Sequence, residues 1–192
     1  MMENYHEHEV FRGISLRDTT LRHKEFIECQ FENCEFENLQ AVDCKFADCT
    51  FLKCRVTNPV LDCCSMTGGD FTECRLFGVD WRGLSAGFLA PIEHLKGCEL
   101  KYNHFVGGNY PKFSFSDNTI RDSLFADCNF HHSEFRRCNL TKTEFYRCDL
   151  TGASFGDAEG YAVDISTCQM KGAVFSFPEV VNLLSGLEIV IR

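Results

Sequence analysis

The sequence lacks the long apolar segments that mark membrane-spanning or exported proteins. Residues 1–10 are mostly polar, and no uninterrupted apolar run approaches the roughly 20 residues that a membrane helix needs. A linker rich in proline, glycine and serine is also missing, so nothing divides the 192 residues into separate domains. We therefore expect one elongated, soluble, cytoplasmic domain that makes no membrane contact.

Motifs for catalysis are absent as well. The chain has no glycine-rich phosphate loop, no Gly-x-Ser-x-Gly turn and no His-Glu-x-x-His helix. His6 and His8 could loosely hold a metal ion, but solvated side chains near a chain end are the simpler interpretation. The sequence predicts no enzymatic activity, no catalytic residue, no cofactor and no bound metal.

Basic residues are too few for a nucleic-acid-binding surface. The chain has 19 Lys and Arg against 28 Asp and Glu, a net charge of −9, whereas contacts to phosphates depend on basic side chains. We expect a protein partner and no direct nucleic-acid binding. No face is overwhelmingly acidic, and the clearest excess combines Asp127, Glu144 and Asp164 against Arg147.

Apolar residues recur at every fifth position, from Phe11 to Trp81 and again from Leu95 to Phe175. Of these 32 positions, 31 are apolar and Gly160 is the exception. Helices repeat near every 3.6 residues and strands every 2, so neither explains this period. A solenoid with one large inward side chain per five residues does.

The position two residues before each central apolar residue is usually small. It holds 12 of the 13 cysteines, and Cys63 alone is out of register. No Cys-x-x-Cys pair is present, which argues against a zinc site. Cysteines 20 residues apart would lie on successive coils, where a disulfide is geometrically possible, but reduced and buried thiols are the favoured interpretation.

The repeating units resemble those of the pentapeptide repeat family, as residues 29–33, 128–132 and 148–152 illustrate. The resemblance covers about residues 9–177. It implies an all-β fold, a right-handed quadrilateral parallel β-helix with four units per coil. About eight coils at roughly 4.8 Å each would make a rod about 38 Å tall.

The period breaks once, between residues 82 and 94, where the register slips by four residues. An insertion without function is one interpretation. The other is a partner-binding loop, because segments that leave a rigid scaffold often carry recognition residues. The candidate contact residues of this loop are Arg82, Leu84, Phe88, Leu89 and Glu93.

The two ends of the chain fall outside the repeat. Residues 1–8 are predicted to be an N-terminal tail. Residues 178–192 are predicted to form a short helix, opened by Pro178 and closed by Gly186, and then a strand over 187–191. Such a segment would cover the exposed end of the solenoid.

The closing segment, with Phe175–Glu179 followed by Leu183, Leu184 and Leu187, resembles that of the albicidin- and quinolone-resistance pentapeptide proteins. This resemblance implies a homodimeric acidic rod that engages DNA gyrase as a mimic of duplex DNA and protects it from poisons. A general interaction scaffold with another partner is the alternative, and a metal-handling protein is a remote third. The implied dimer interface consists of Leu183, Leu184, Leu187, Ile189 and Ile191.

Overall fold

The protein is a parallel β-solenoid of about eight turns in a computed structural model that describes residues 3–84 and 90–187. Short strands follow one another every five residues, and each pairs in parallel with a strand one coil further on. Phe31, for example, lies opposite Phe11 below and Phe51 above. The predicted all-β quadrilateral β-helix of about eight coils is therefore confirmed.

Four stacks of strands make up the four faces. The first face contains β1 (Tyr5–Glu7), β5 (Glu25–Ile27), β9 (Lys45–Ala47) and β13 (Ser65–Thr67). The second contains β2 (Val10–Arg12), β6 (Gln30–Glu32), β10 (Thr50–Leu52), β14 (Gly69–Thr72) and β16 (Ile92–Lys96), and after them the pair β22 (Ser154–Phe155) and β24 (Val174–Phe175).

The other two faces merge in the C-terminal half. The third contains β3 (Ser15–Arg17), β7 (Glu35–Glu37), β11 (Arg55–Thr57), β15 (Arg75–Phe77), β17 (Glu99–Lys101) and β19 (Thr119–Arg121). The fourth contains β4 (Thr20–Arg22), β8 (Gln40–Val42), β12 (Val60–Asp62), β18 (His104–Val106) and β20 (Leu124–Ala126). Both are joined by β21 (Asn139–Tyr146), which turns a corner and pairs with β23 (Glu159–Val163).

Each corner of the coil requires a left-handed backbone. The residue two positions after the central apolar residue has a positive φ, from 47° at Asp18 to 62° at Asp117 among the non-glycine residues. Asn, Asp and Gly tolerate this conformation best. Cys63 occupies such a corner with a φ of 52°, which explains why this cysteine alone is out of register and exposed.

The central side chains stack ring upon ring along the solenoid axis. Phe115, Phe135 and Phe155 lie in one column, with ring centroids 4.8 and 4.9 Å apart and planes within 12° of parallel. Neighbouring columns meet edge to face, as Phe135 does with Phe145 at 5.3 Å and 88°. Offset stacks and perpendicular contacts are both favourable for aromatic rings, so a narrow interior is filled efficiently.

Many side chains at the small inward position donate a hydrogen bond to the backbone. The Cys49 thiol donates to the carbonyl oxygens of Phe26 and Ala47, at 3.3 and 3.4 Å. Ser133 and Thr143 make the equivalent bond to the coil below through their hydroxyl groups. The sequence interpretation recognised only the size requirement, and these hydrogen bonds add a reason why Cys, Ser and Thr are common at this position.

The first coil begins earlier than predicted. Residues 1–8 were assigned to a tail, but β1 pairs with β5. His6 takes the central inward position, where it stacks on Phe26 at 5.1 Å and bonds to the Glu9 carboxylate and the Glu3 carbonyl. Because a polar ring replaces the usual apolar residue, the five-residue pattern did not reveal this unit.

The five-residue register also fails near the C-terminal end. Between Asn139 and Thr143 the pairing with the next coil changes by two residues. Tyr161 and Val163 therefore point inward and are buried, in place of Gly160 and Ile165. The apolar Ile165 and the small Gly160 concealed this shift from the sequence interpretation.

A 3-10 helix, Glu179–Leu187, lies over the last coil. Leu183 packs on the core, and the Glu179 carboxylate accepts a hydrogen bond from the Gly160 amide at 3.0 Å. The prediction of a helix after Pro178 agrees with this element, although the helix continues to Leu187 rather than closing at Gly186. The predicted strand beyond Leu187 lies outside the described residues.

Removal of one central ring should be costly. Phe135 is fully buried and contacts aromatic rings above, below and beside it. We expect Phe135→Ala to lower the free energy of unfolding by about 3–5 kcal/mol, because it deletes these contacts and leaves a cavity. Val60→Ala, on an exposed outer face, should change the free energy of unfolding by about 0.5 kcal/mol or less. Equal unfolding midpoints in urea for the two variants would contradict this register.

The burial of the cysteines predicts a simple reactivity pattern. All thirteen lie in the described residues, and only Cys63 is exposed. Burial raises the pKa of Cys49 and of Cys138 to about 12, so these thiols stay protonated and inaccessible near pH 8. A thiol reagent should label one cysteine in the native protein and thirteen after unfolding. Cys63→Ser should remove the native labelling, and rapid labelling of several thiols in that variant would refute the burial.

Candidate partner-binding surfaces

The predicted partner-binding loop is shorter than residues 82–94. Leu84 still belongs to the coil, because its carbonyl accepts a hydrogen bond from the Met66 amide at 2.8 Å. Pro91 also belongs to the coil, because its carbonyl accepts a hydrogen bond from the Gly69 amide at 3.1 Å. Phe88 and Leu89, two of the candidate contact residues, lie outside the described residues.

Leu84 is not a surface residue. Only 2% of it is exposed, because it packs against the apolar interior beside Trp81. Its assignment as a contact residue was wrong. An apolar residue in an interrupted repeat is equally consistent with core and loop, and the tertiary packing decides between them.

Arg82 and Glu93 do lie on the surface, on either side of the break. The Arg82 guanidinium forms a bidentate pair with the Asp80 carboxylate, with Nε 2.8 Å from Oδ2. Glu93 is the extra residue of a bulge in β16, between Ile92, which pairs with Gly69, and His94, which pairs with Asp70. A bulge that directs an exposed carboxylate outward beside an interrupted coil is a suitable recognition feature.

The three predicted acidic residues do not form a continuous acidic surface. Asp127 is engaged by Arg147, with Nε 2.7 Å from Oδ1 and Nη2 2.6 Å from Oδ2, and these hydrogen bonds hold the pKa of Asp127 below its usual value. The register shift places Ala162 opposite Glu144, so Asp164 is not aligned with Glu144. Asp164 instead accepts hydrogen bonds from the Ser166 amide and hydroxyl.

Six other acidic residues pair with basic residues on the adjacent coil. Exposed pairs of this kind contribute little to stability, but they cancel charge locally. Their spacing of 20 to 24 residues follows from the coil length, so they act as ladders between coils. The pairs are Arg12–Glu32, Arg17–Glu37, Arg55–Glu35, Arg75–Glu99, Lys53–Glu73 and Arg137–Asp117.

The C-terminal end exposes apolar side chains. Of the predicted dimer residues, Leu184 and Leu187 are exposed, Leu183 is half-buried against the core, and Ile189 and Ile191 lie outside the described residues. The sequence interpretation missed Phe177, the most exposed large apolar side chain described, at 84%. Its position two residues after the central Phe175, outside the five-residue register, is the signal that could have identified it.

The described residues contain neither a candidate metal site nor a membrane-spanning helix. No group of three or more His, Cys, Asp and Glu side chains in residues 3–84 and 90–187 could hold a metal ion. Among the same residues, no helix is long and apolar enough to span a membrane. The candidate binding surfaces are the four faces, the break around Arg82 and Glu93, and the C-terminal end.

Comparison with known proteins supports the fold from two directions. The family model for pentapeptide repeats, in 8 copies, matches residues 121–157 and 138–176. No curated protein matches the chain by sequence.

Solved structures with the same fold include two trypsin-treated forms of QnrB1, described as a plasmid-mediated fluoroquinolone resistance protein. The first has a TM-score of 0.67 at 16% identity and covers 97% of this chain and 99% of its own. The second has a TM-score of 0.55 at 17% identity, and it covers 95% of this chain and 100% of its own. The sequence of residues 121–176 therefore matches the pentapeptide repeat family, and the similarity to the solved structures shows the same four-sided parallel fold over nearly the whole chain.

Proposed function

We propose that this protein is a non-enzymatic, dimeric rod that binds DNA gyrase or a related topoisomerase and protects it from poisons such as quinolones or albicidin-like toxins. The observation that carries the proposal is the end-to-end fold similarity to QnrB1, a fluoroquinolone resistance protein, over 97% of this chain. The resemblance of the closing segment around Phe175–Glu179 to resistance members of the family points the same way.

The charge density of this chain is well below that of duplex DNA, so such binding would not rely on close imitation of the DNA backbone. Duplex DNA carries one negative charge per roughly 1.7 Å, or about 22 charges over a rod of about 38 Å. The whole chain carries a net charge of −9, and many acidic residues are paired with bases on the next coil. Recognition would then depend on the shape of the rod and on local contacts at its irregular features.

Two irregular features supply those contacts in this proposal. The break offers the charged groups of Arg82 and Glu93 on either side of the interrupted repeat. The C-terminal end offers Phe177, Leu184 and Leu187 as an apolar surface for a second copy of the chain. Dimerisation there would double the length of the rod and present two copies of the break to a symmetric enzyme.

A general interaction scaffold with no topoisomerase role is the second candidate. The ladders of opposite charges, such as Arg137–Asp117 and Arg147–Asp127, favour it because they leave the faces without a concentrated negative stripe. One fold can support many unrelated binding functions, so this candidate requires a direct test.

Dimerisation should depend on the exposed C-terminal leucines. We expect the double variant Leu184→Glu/Leu187→Glu to be monomeric in sedimentation equilibrium while the unchanged protein is dimeric, because four buried carboxylates would be left unpaired in the interface. These residues are preferable to Leu183, which packs on the core. Val60→Glu, on the exposed fourth face, is the matched control and should remain dimeric. A dimer that survives the double variant would place the interface elsewhere.

Protection of gyrase is the decisive functional test. We expect the protein at micromolar concentration to reduce quinolone-induced DNA cleavage by gyrase, or to change supercoiling, and the Leu184→Glu/Leu187→Glu variant to lose this effect. The Val60→Glu control should retain it. If none of the three proteins affects cleavage or supercoiling, the scaffold candidate is supported, and affinity capture without gyrase subunits would agree with that result.

A further inference from the structure

The N-terminal half of the solenoid contains an apolar cavity of about 80 Å³ along its axis. It is lined only by apolar side chains, and it extends from the first coil to the coil just before the break. Among the lining residues are Leu16, Leu21, Val56, Leu61, Leu76 and Trp81.

The cavity exists because this half has fewer aromatic rings at its centre. In the C-terminal half the fourth face contributes Phe105, Phe125 and Phe145, all 1% exposed or less. The equivalent positions in the N-terminal half are Leu21, Ala41 and Leu61.

Partial exposure of the central residues agrees with this difference. Val56 and Leu61 lie in the middle of the stack, with a coil above and a coil below, yet both keep accessible surface. Ile120, on the same face as Val56 but in the C-terminal half, is fully buried. Both Val56 and Leu61 line the cavity.

Water is a poor occupant for this space. A buried water molecule requires two to four polar partners, and the lining of the cavity supplies none. Cavities of this kind stay dry and accept apolar molecules, because the lining atoms gain contacts that an empty space denies them. The chemistry of the lining therefore selects a hydrocarbon.

The shape of the cavity selects an unbranched chain. The lining residues span the first four coils, three layer spacings or roughly 14 Å. A volume of about 80 Å³ distributed over that length is long and narrow. A flexible chain can lie along the axis, whereas a ring needs a width that the stacked side chains do not leave.

Entry is available without opening the wall of the coil. Leu16 and Leu21 belong to β3 and β4, and within the described residues these strands pair with β7 and β8 above them and with no strand below. Both residues are partly exposed at this lower end. A ligand can therefore enter along the axis at the N-terminal end of the rod.

We propose that the axial cavity is a binding site for a short, unbranched alkyl chain, either free or as the tail of a larger molecule whose polar part remains outside the N-terminal end. Binding would fill the poorly packed half of the rod and stabilise it. The site is separate from the gyrase proposal, because it lies inside the coil and uses neither Arg82 nor Glu93 nor the residues of the C-terminal end.

The test uses n-hexane as the probe and the full chain. At ten times its dissociation constant, n-hexane should raise the unfolding midpoint by about 3–6 °C, because it binds only the folded state. Val56→Phe fills the cavity from within, so this variant should show no shift. Ile120→Val, on the same face in the filled half, is the matched control and should keep the full shift.

A second readout makes the result independent of the variant's folding. In the unchanged protein, nuclear Overhauser effects should connect n-hexane protons with the methyl groups of Val56 and Leu61. An absence of these contacts, or an undiminished shift in folded Val56→Phe, would overturn the site. Cyclohexane should give a smaller shift than n-hexane, and equal shifts would overturn the assignment to an unbranched chain.

Discussion

Closure of a square coil every 20 residues is the constraint on which the rest of this structure depends. Each side is five residues long, so each side must direct one large and one small side chain inward and then turn through a left-handed corner. The corner explains the Asn, Asp and Gly residues, and the interior explains the Phe and Cys residues. The inter-coil hydrogen bonds, the aromatic columns and the ion-pair ladders all follow once successive coils are in register.

The two halves of the rod share this backbone but differ in how completely their side chains fill the interior. In the C-terminal half, rings from three faces interlock at right angles, as Phe125, Phe130 and Phe135 do, and the interior is filled. In the N-terminal half, Ala41, Val56 and Leu61 at central positions satisfy the backbone equally well but leave space. Because inter-coil backbone bonds do not depend on side-chain volume, the fold can hold a cavity without losing its register.

Opposite charges on successive coils determine what the outer faces can do. A residue and its counterpart one coil away lie side by side, so Arg147 pairs with Asp127 and Arg137 with Asp117. Part of the charge on the faces is therefore compensated locally, and side chains outside the regular pattern lie where the repeat is interrupted. In this protein those places are the break beside Arg82 and Glu93 and the C-terminal end with Phe177.

The repeat by itself determined the fold class, the coil length and most of the core. A five-residue period can be recognised in any short segment of the sequence. Phe135 could therefore be placed in the interior without a structure. Tertiary structure decided the exceptions: His6 as a central residue, Leu84 in the core and Tyr161 in place of Gly160.

Candidate binding surfaces were less accessible to sequence reasoning. The grouping of Asp127, Glu144 and Asp164 assumed an unbroken 20-residue period, and a two-residue shift between coils separates them. The axial cavity depends on the volumes of side chains from several coils. Each ion pair depends on which basic residue lies one coil away from the acidic one. A local pattern specifies which way a side chain points, whereas packing between coils decides what it meets there.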